Sequence, residues 1–399
     1  MKKYLLKSKW LLDGITDSLI HNAALIIDDG KISFAGPAEY IKDVTEAITY
    51  NYNDATIMPG LIDAHVHLAF DGSPEPVKQI KSNKDSFSEV ILEINNAEKQ
   101  IKAGVTTIRD CGSPNFVPVE IARAAENGLL AKAPHVLASG PVICITGGHG
   151  YFVGFEADGL NEIRKAVRTV IKNGAHFIKL MATGGVITPG SIAESTQFDL
   201  SELKVAVKEA SRAGVRSAAH AHSNEGIKLA LKAGVSTIEH ASYIDNQIIS
   251  LFLQTGAIAV STLLASRRQV ENLKEIPDYM AEKISKHLEK ETDSVKKLID
   301  AGVLIAGGTD AGTPFNPHGE LVEQLKILSE CGMGNLQALK AGTYVSALAL
   351  GIQDYTGTLE PGKIADILVV KGNPVNDLNM LKNILSVWKS GKCIIENNI

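Results

Sequence analysis

A (β/α)8 barrel carrying a small β-sandwich built from both chain ends is the fold class this sequence predicts, on three observations. Apolar runs alternate with amphipathic ones through the middle of the chain, the joints between them repeat a glycine signature, and the two ends read as short strands. Alternating β and α implies a parallel sheet, and eight such strands over about 300 residues suit a closed barrel. An open doubly wound sheet is the competing arrangement, but the glycine-rich phosphate loop that should follow its first strand is missing.

The elements follow in order. Residues 1–57 carry Leu25-Ile26-Ile27, then Asp28-Asp29-Gly30-Lys31-Ile32, where Asp-Gly marks a turn between two apolar runs. At the far end, Ile364-Ala365-Asp366-Ile367-Leu368-Val369-Val370 precedes the breaker Lys371-Gly372-Asn373-Pro374, and Val387 to Ile395 forms a hairpin around Ser390-Gly391. Neither end buries a useful core alone, so residues 1–57 and 358–399 are expected to pair into one sandwich domain, with the barrel at 58–357 inserted between them.

In the middle, Ala103-Gly104-Val105, Ala213-Gly214-Val215, Ala233-Gly234-Val235 and Ala301-Gly302-Val303 each end an amphipathic run and begin an apolar one. Asn173-Gly174-Ala175 and Thr255-Gly256-Ala257 behave alike. Glycine just past a helix and before a β-branched stretch marks a helix-to-strand joint. The predicted barrel strands are 61–68, 106–110, 136–142, 177–182, 216–222, 237–241, 257–263 and 304–309.

Chemistry on a barrel of this kind sits at the C-terminal strand ends. Those positions hold His65 and His67 on the first strand, Lys179 on the fourth, His220 and His222 on the fifth, His240 on the sixth and Asp310 after the eighth. An isolated His-x-His is usually a chance pair on a half-buried strand, Lys179 alone could extend outward, His240 could be a hydrogen-bonded core histidine and Asp310 a helix cap. Together these readings need several coincidences at equivalent places, whereas imidazoles, a lysine and a carboxylate converging on one point suit a metal.

Composition bounds the rest. With 45% hydrophobic and 21% charged residues, the 399-residue chain is of ordinary globular type, and its net charge of −5 argues against a nucleic-acid or anionic-membrane partner. Lys7 and Lys9 interrupt any signal-peptide core, no run is long enough to span a membrane, and the four cysteines form no C-x-x-C pair, so a cytoplasmic location with reduced thiols is expected.

The residues also carry a resemblance. Met58-Pro59-Gly60-Leu61-Ile62-Asp63-Ala64-His65-Val66-His67, Thr146-Gly147-Gly148-His149-Gly150, Ile178-Lys179-Leu180-Met181-Ala182-Thr183-Gly184-Gly185, Ala219-His220-Ala221-His222, Ile238-Glu239-His240-Ala241, Gly308-Thr309-Asp310-Ala311-Gly312 and the closing stretch from Gly357 to Ile367 resemble the amidohydrolase superfamily. The branch is the one holding imidazolonepropionase-like proteins and the zinc dipeptidases and carboxypeptidases that act on Xaa-Pro or Xaa-Arg substrates.

That resemblance implies two divalent ions, zinc foremost, with manganese, cobalt or iron suited to the same ligands. His65, His67 and Asp310 would hold one and His220 and His240 the other. Lys179, carboxylated at its N6 amine, would bridge them, since a plain ammonium beside two cations is repelled and a carbamate is an anionic oxygen ligand. Asp310, His149 and His240 form the implied catalytic set. On this expectation the ions would activate water for attack on the substrate carbonyl, Asp310 would take the water's proton to the leaving nitrogen, and His149 would donate to the oxyanion. Geometry alone lets either His220 or His222 be the ligand; the branch makes His220 the ligand and His222 a substrate contact.

Arg109 and Tyr243 are weaker candidates for gripping a substrate carboxylate, each with an ordinary packing role as its alternative. The loops 184–197 and 265–283 are expected to shape the pocket. There Arg267 and Arg268 either bind a carboxylate or form solvated helix surface, and 150–158 forms part of a lid or a subunit contact. The implied substrate is a small molecule or dipeptide and the implied state a homo-oligomer. The favoured activity is cleavage of an amide or peptide C–N bond by a dipeptidase, carboxypeptidase or N-acyl amino acid hydrolase. A cyclic-amide hydrolase or deaminase like imidazolonepropionase is the rival, whose representatives generally lack the bridging lysine. A non-catalytic binding protein on a retired barrel is disfavoured because all six ligand positions are filled.

Overall fold

A computed structural model describes residues 2–41, 44, 46–82 and 86–397. The two chain ends build one sheet of seven strands in the order Lys392–Glu396, Ile384–Lys389, Ile367–Lys371, Ala47–Pro59, Lys3–Leu11, Ile20–Asp28 and Lys31–Pro37. The ends join where Ile367–Lys371 runs antiparallel to Ala47–Pro59, with Ile367 opposite Pro59 and Lys371 opposite Ala55.

Both hairpins foreseen at the ends form, and for the same reason. Asp29 and Gly30 have φ of 50° and 77°, Ser390 and Gly391 have 49° and 72°, and two consecutive positive φ values match the right-handed twist of the strands they connect. The two tips meet: a Cβ on Gly391 would lie 2.4 Å from the Cα of Gly30. The sheet curls into a sandwich over Trp388, which is fully buried against the edges of Tyr4 and Tyr50, at ring separations of 5.0 and 5.2 Å.

Between the ends stands the (β/α)8 barrel. Its strands are Leu61–Val66, Val105–Asp110, His135–Ala138, Phe177–Met181, Arg216–Ala221, Thr237–His240, Ile258–Ser261 and Ile305–Gly307. Parallel pairing runs from Leu61–Val66 to His135–Ala138 and from Phe177–Met181 to Ile305–Gly307. The bonds His176 N to Ala138 O (2.8 Å) and Asp310 N to His65 O (2.8 Å) close the ring. All six glycine joints adopt the left-handed conformation, with φ between 68° and 92° at Gly104, Gly174, Gly214, Gly234, Gly256 and Gly302.

The third strand differs from the single run expected at 136–142. His135–Ala138 pairs with the second strand, and a separate Val142–Cys144 pairs with the fourth, Ile143 lying opposite Leu180. Gly140 at φ 63° and Pro141, which has no N–H to donate, break the run between them. The break turns the chain toward the barrel mouth, where Val142 and the loop 145–150 reach the site. Among the described residues no helix is long and apolar enough to cross a membrane.

Candidate active site

The strand ends converge on a single cavity at the barrel mouth. His65, His67, His149, Lys179, His220, His222, His240 and Asp310 all line it. The predicted residues on the first, fourth, fifth, sixth and eighth strands are therefore brought together.

Two groups of donors face one another. His65, His67 and Asp310 place ligand atoms within 4.8 Å of one another, and so do His220, His222 and His240. Asp310 Oδ1 lies 3.4 Å from His65 Nε2 and 3.2 Å from His67 Nε2. The His65 and His240 rings, one from each group, are 5.1 Å apart. The Lys179 side chain is buried beside both groups.

Acceptors on the far side of three rings, His65, His67 and His220, fix which nitrogen is free. His67 Nδ1 donates to the Gly112 carbonyl (3.0 Å), leaving Nε2 bare, and His220 Nε2 donates to the Gly184 carbonyl (3.0 Å), leaving Nδ1 bare. His65 Nδ1 meets the Glu239 carboxylate at 2.7 Å, and its buried Nε2 has no hydrogen-bond partner. His222 Nδ1 pairs with Ser242 Oγ (2.8 Å) and His240 Nδ1 with Thr262 Oγ1 (2.7 Å).

Burial pushes the imidazoles down, His65 to about 4 and His220, His222 and His240 well below the ordinary histidine value, so they are neutral and able to ligate at pH 7. Burial alone would raise Asp310, but its contacts with His67 and His65 hold it below the ordinary carboxylate value. Imidazoles kept neutral by burial, an ionised carboxylate and an orphaned His65 Nε2 are a donor set that fits divalent metal ions. A third trio, His65, Cys111 and Glu239, does not. Burial pushes the Cys111 thiol up to about 12, and both Glu239 oxygens are taken.

Backbone strain accompanies this set. His240, Ala241 and Asp310 have φ of 70°, 52° and 56°, unusual for residues other than glycine and clustered at the cavity. Asp63 holds the Asp310 segment in place by accepting from Thr309 N (2.9 Å) and Thr309 Oγ1 (2.6 Å).

His149 comes from the loop after Val142–Cys144, and its ring lies 4.4 Å from that of His220. Thr188 Oγ1 sits 2.8 Å from His149 Nδ1 and accepts from Gly150 N (3.1 Å). Gly185 backs the ring so closely that a Cβ there would meet His149 Nε2 at 2.4 Å.

Arg109 does not line the cavity, which corrects its reading as a substrate contact. Its Nε donates to the Ala64 carbonyl (2.7 Å), Nη1 to Thr237 Oγ1 (3.0 Å) and Nη2 to both oxygens of Glu239 (2.8 Å), all inside the barrel. Tyr243 also lies outside the lining, its hydroxyl 3.2 Å from both Glu194 Oε1 and His287 Nδ1. Arg267 and Arg268 are surface partners of Glu330, Glu271 and Glu320. From the segment 150–158, Gly150, Phe152 and Val153 reach the cavity wall.

Sequence reasoning passed over Glu239, Gln269 and His287. Glu239 is a lone charge in an apolar strand. His287 and Glu291 fall in the buried stripe Met280, Ile284, His287, Glu291, Ser294, Val295, Leu298 of the helix Asp278–Asp300, where polar residues at apolar positions were the available signal.

The sequence matches the amidohydrolase family over residues 56–394, and the chain belongs to that family, whose members are hydrolases acting on carbon–nitrogen bonds. It is 31% identical over 412 residues to the ochratoxinase of Aspergillus niger, covering 94% of this chain and 83% of the relative. Its structure resembles a Xaa-Pro dipeptidase with bound methionine in the active site, with a TM-score of 0.92, 31% identity and 99% and 100% of the two chains covered. An imidazolonepropionase of Rhizobium rhizogenes is 24% identical over 384 residues, 88% of this chain and 87% of that one.

Proposed function

We propose that this protein is a two-metal hydrolase of the amide bond between an acyl or aminoacyl group and an amino acid, acting as a dipeptidase, carboxypeptidase or N-acyl amino acid hydrolase. The observation that carries the reading is the burial of Lys179 in the cavity that two donor groups, built from five histidines and Asp310, also line. A cyclic-amide hydrolase of the imidazolonepropionase kind has no use for a lysine there.

His65, His67 and Asp310 would hold one ion, His220 and His240 the other, and Lys179, carboxylated on its amine, would supply an anionic oxygen to each. When bound, divalent ions provide a Lewis acid and lower the pKa of water from about 15.7 to about 7.

The chain's own groups do the rest. Asp310 accepts the proton of the attacking water and hands it to the nitrogen that leaves. The Thr188 hydroxyl, already accepting from Gly150, has its proton free for His149 Nδ1, so that His149 keeps its own proton on Nε2. Burial, reinforced by Lys283 and Lys179, pushes His149 down to about 3, and the neutral ring donates to the oxyanion without losing its proton to solvent. His222, with Nδ1 held by Ser242, faces the substrate. Phe70, Val142, Phe152, Val153 and Met181 give the cavity an apolar wall for a side chain.

The test is a screen of the metal-loaded protein against dipeptides and N-acyl amino acids, with C-terminal Pro, Arg or hydrophobic residues, beside lactones, cyclic imides and cyclic ureas. Turnover of linear amides is expected; turnover of the cyclic compounds alone would overturn the proposal.

A further inference from the structure

Two side chains on the helical wall of the cavity, one of them packed 4.4 Å from the His222 ring, carry buried polar atoms that no group of the protein satisfies. They are Gln269 Oε1, on the helix Leu263–Glu271, and His287 Nε2, on the helix Asp278–Asp300. Gln269 and His287 are 3% and 1% exposed, and both line the cavity. A buried polar atom left unpaired is costly, so a partner from outside the chain is implied.

Both atoms are acceptors. For Gln269 this is the chemistry of an amide oxygen. For His287 it follows from its neighbour: the Tyr243 hydroxyl lies 3.2 Å from Glu194 Oε1, a carboxylate that can only accept, and therefore spends its single proton there. His287 Nδ1, 3.2 Å from the same hydroxyl oxygen, must then be the donor of that contact, which leaves Nε2 with a bare lone pair.

A third acceptor stands behind them. Glu291 Oε2 is 3.9 Å from His287 Nε2 and is itself held by Ser266 Oγ at 2.6 Å. Ser266 and Gln269 share a face of one helix at i, i+3, and His287 and Glu291 share a face of the next at i, i+4. Among the described residues lining the cavity, Lys179 is the only lysine or arginine. Lys283, nearby, spends its ammonium on the carbonyls of Gly185, Val186 and Thr188.

A wall of acceptors with no lysine or arginine side chain of its own has nothing to pair with a carboxylate and matches a group with several N–H donors and a positive charge. We infer that Gln269 and His287 bind the free α-ammonium of the substrate's N-terminal residue, so that the enzyme takes unblocked dipeptides in preference to N-acylated amino acids. The inference rests on the cavity being an amide-hydrolysing site and narrows its substrate class.

The experiment compares matched pairs on the metal-loaded full chain: Leu-Phe, Met-Pro and Ala-Arg, each beside its des-amino analogue, in which the N-terminal residue is replaced by the acyl group lacking only the amine. The dipeptide is expected to exceed its analogue in kcat/KM by about 10- to 100-fold, the worth of hydrogen bonds to a charged donor. Gln269→Met and His287→Phe should each shrink that ratio by about tenfold or more. A wild-type ratio near one, or a ratio that neither variant moves, overturns the inference while leaving amide hydrolysis standing. Hydrolysis of neither member of any pair overturns the amide-hydrolase reading itself.

Discussion

Glu239 Oε2 lies 2.7 Å from His65 Nδ1, and the same carboxylate receives Arg109 Nη2 at 2.8 Å, so a buried arginine on the second strand sets the orientation of an imidazole on the first. Burial alone would raise the Glu239 pKa. Arg109 and His65 instead hold it far below the usual carboxylate range.

Removing either partner leaves the other as an uncompensated buried charge. Arg109→Leu and Glu239→Gln should each lower stability by about 3–5 kcal/mol and weaken metal binding by about 10- to 100-fold. Denaturant unfolding and metal titration measure the two effects. An Arg109→Leu protein of unaltered stability that only raises KM would return Arg109 to the role of a substrate contact.

Gly185→Ala tests the placement of His149. The added Cβ would sit 2.4 Å from His149 Nε2 and 2.5 Å from Cε1, so the imidazole must shift. A drop in kcat of about 100-fold with metal content retained is expected, similar to loss of an oxyanion donor. Kinetics paired with metal analysis on one preparation decides it. Normal kcat would mean that the imidazole need not stand where it does.

Lys283 reaches across from the helix Asp278–Asp300 to the carbonyls of Gly185 (3.3 Å), Val186 (3.3 Å) and Thr188 (2.9 Å), and Tyr279 donates to Ile187 O (3.0 Å). This lashing positions Thr188, and through it His149. Lys283→Met should speed limited proteolysis within residues 184–197 and lower kcat by about tenfold, since small misplacements of catalytic groups are expensive. Unchanged proteolysis would show that the apolar contacts of Val186 and Ile187 suffice.

Burial pushes the Glu291 carboxyl up from 4.5 to about 7. The folded state therefore binds this proton more tightly than the unfolded chain, and the stabilisation it brings is present below pH 4.5 and lost as pH rises through about 7. Glu291→Gln, whose amide oxygen can still accept from Ser266, removes that loss. The gain in unfolding free energy of the variant over the wild type, from denaturant titrations, should grow between pH 5 and pH 8, reaching roughly 1–3 kcal/mol. A difference that shrinks with rising pH would contradict the burial argument.

The barrel was legible because its periodicity is local: six glycine joints and the apolar runs beside them announce each helix-to-strand passage, and all six adopt positive φ. His65, His67, Lys179, His220, His240 and Asp310 were legible as polar residues at strand ends. The division of the third strand was written in Gly140-Pro141, yet the apolar residues on either side masked it. Arg109 was misread because a strand residue's side alternates with every position, and a one-residue ambiguity at the strand end decides between cavity and barrel interior. His287 and Gln269 reach the site from helices, through packing of Leu263–Glu271 against Asp278–Asp300 that no local pattern encodes.

The central claim is that Lys179 joins two metal-holding groups into one amide-hydrolysing site. The most direct measurement is the metal content of the purified chain and of Lys179→Ala, taken together with hydrolysis of a linear dipeptide by each. About two divalent ions per wild-type chain, with metal and turnover lost together in the variant, are predicted. Full dipeptide turnover by Lys179→Ala, or by wild-type protein stripped of metal, would contradict the account.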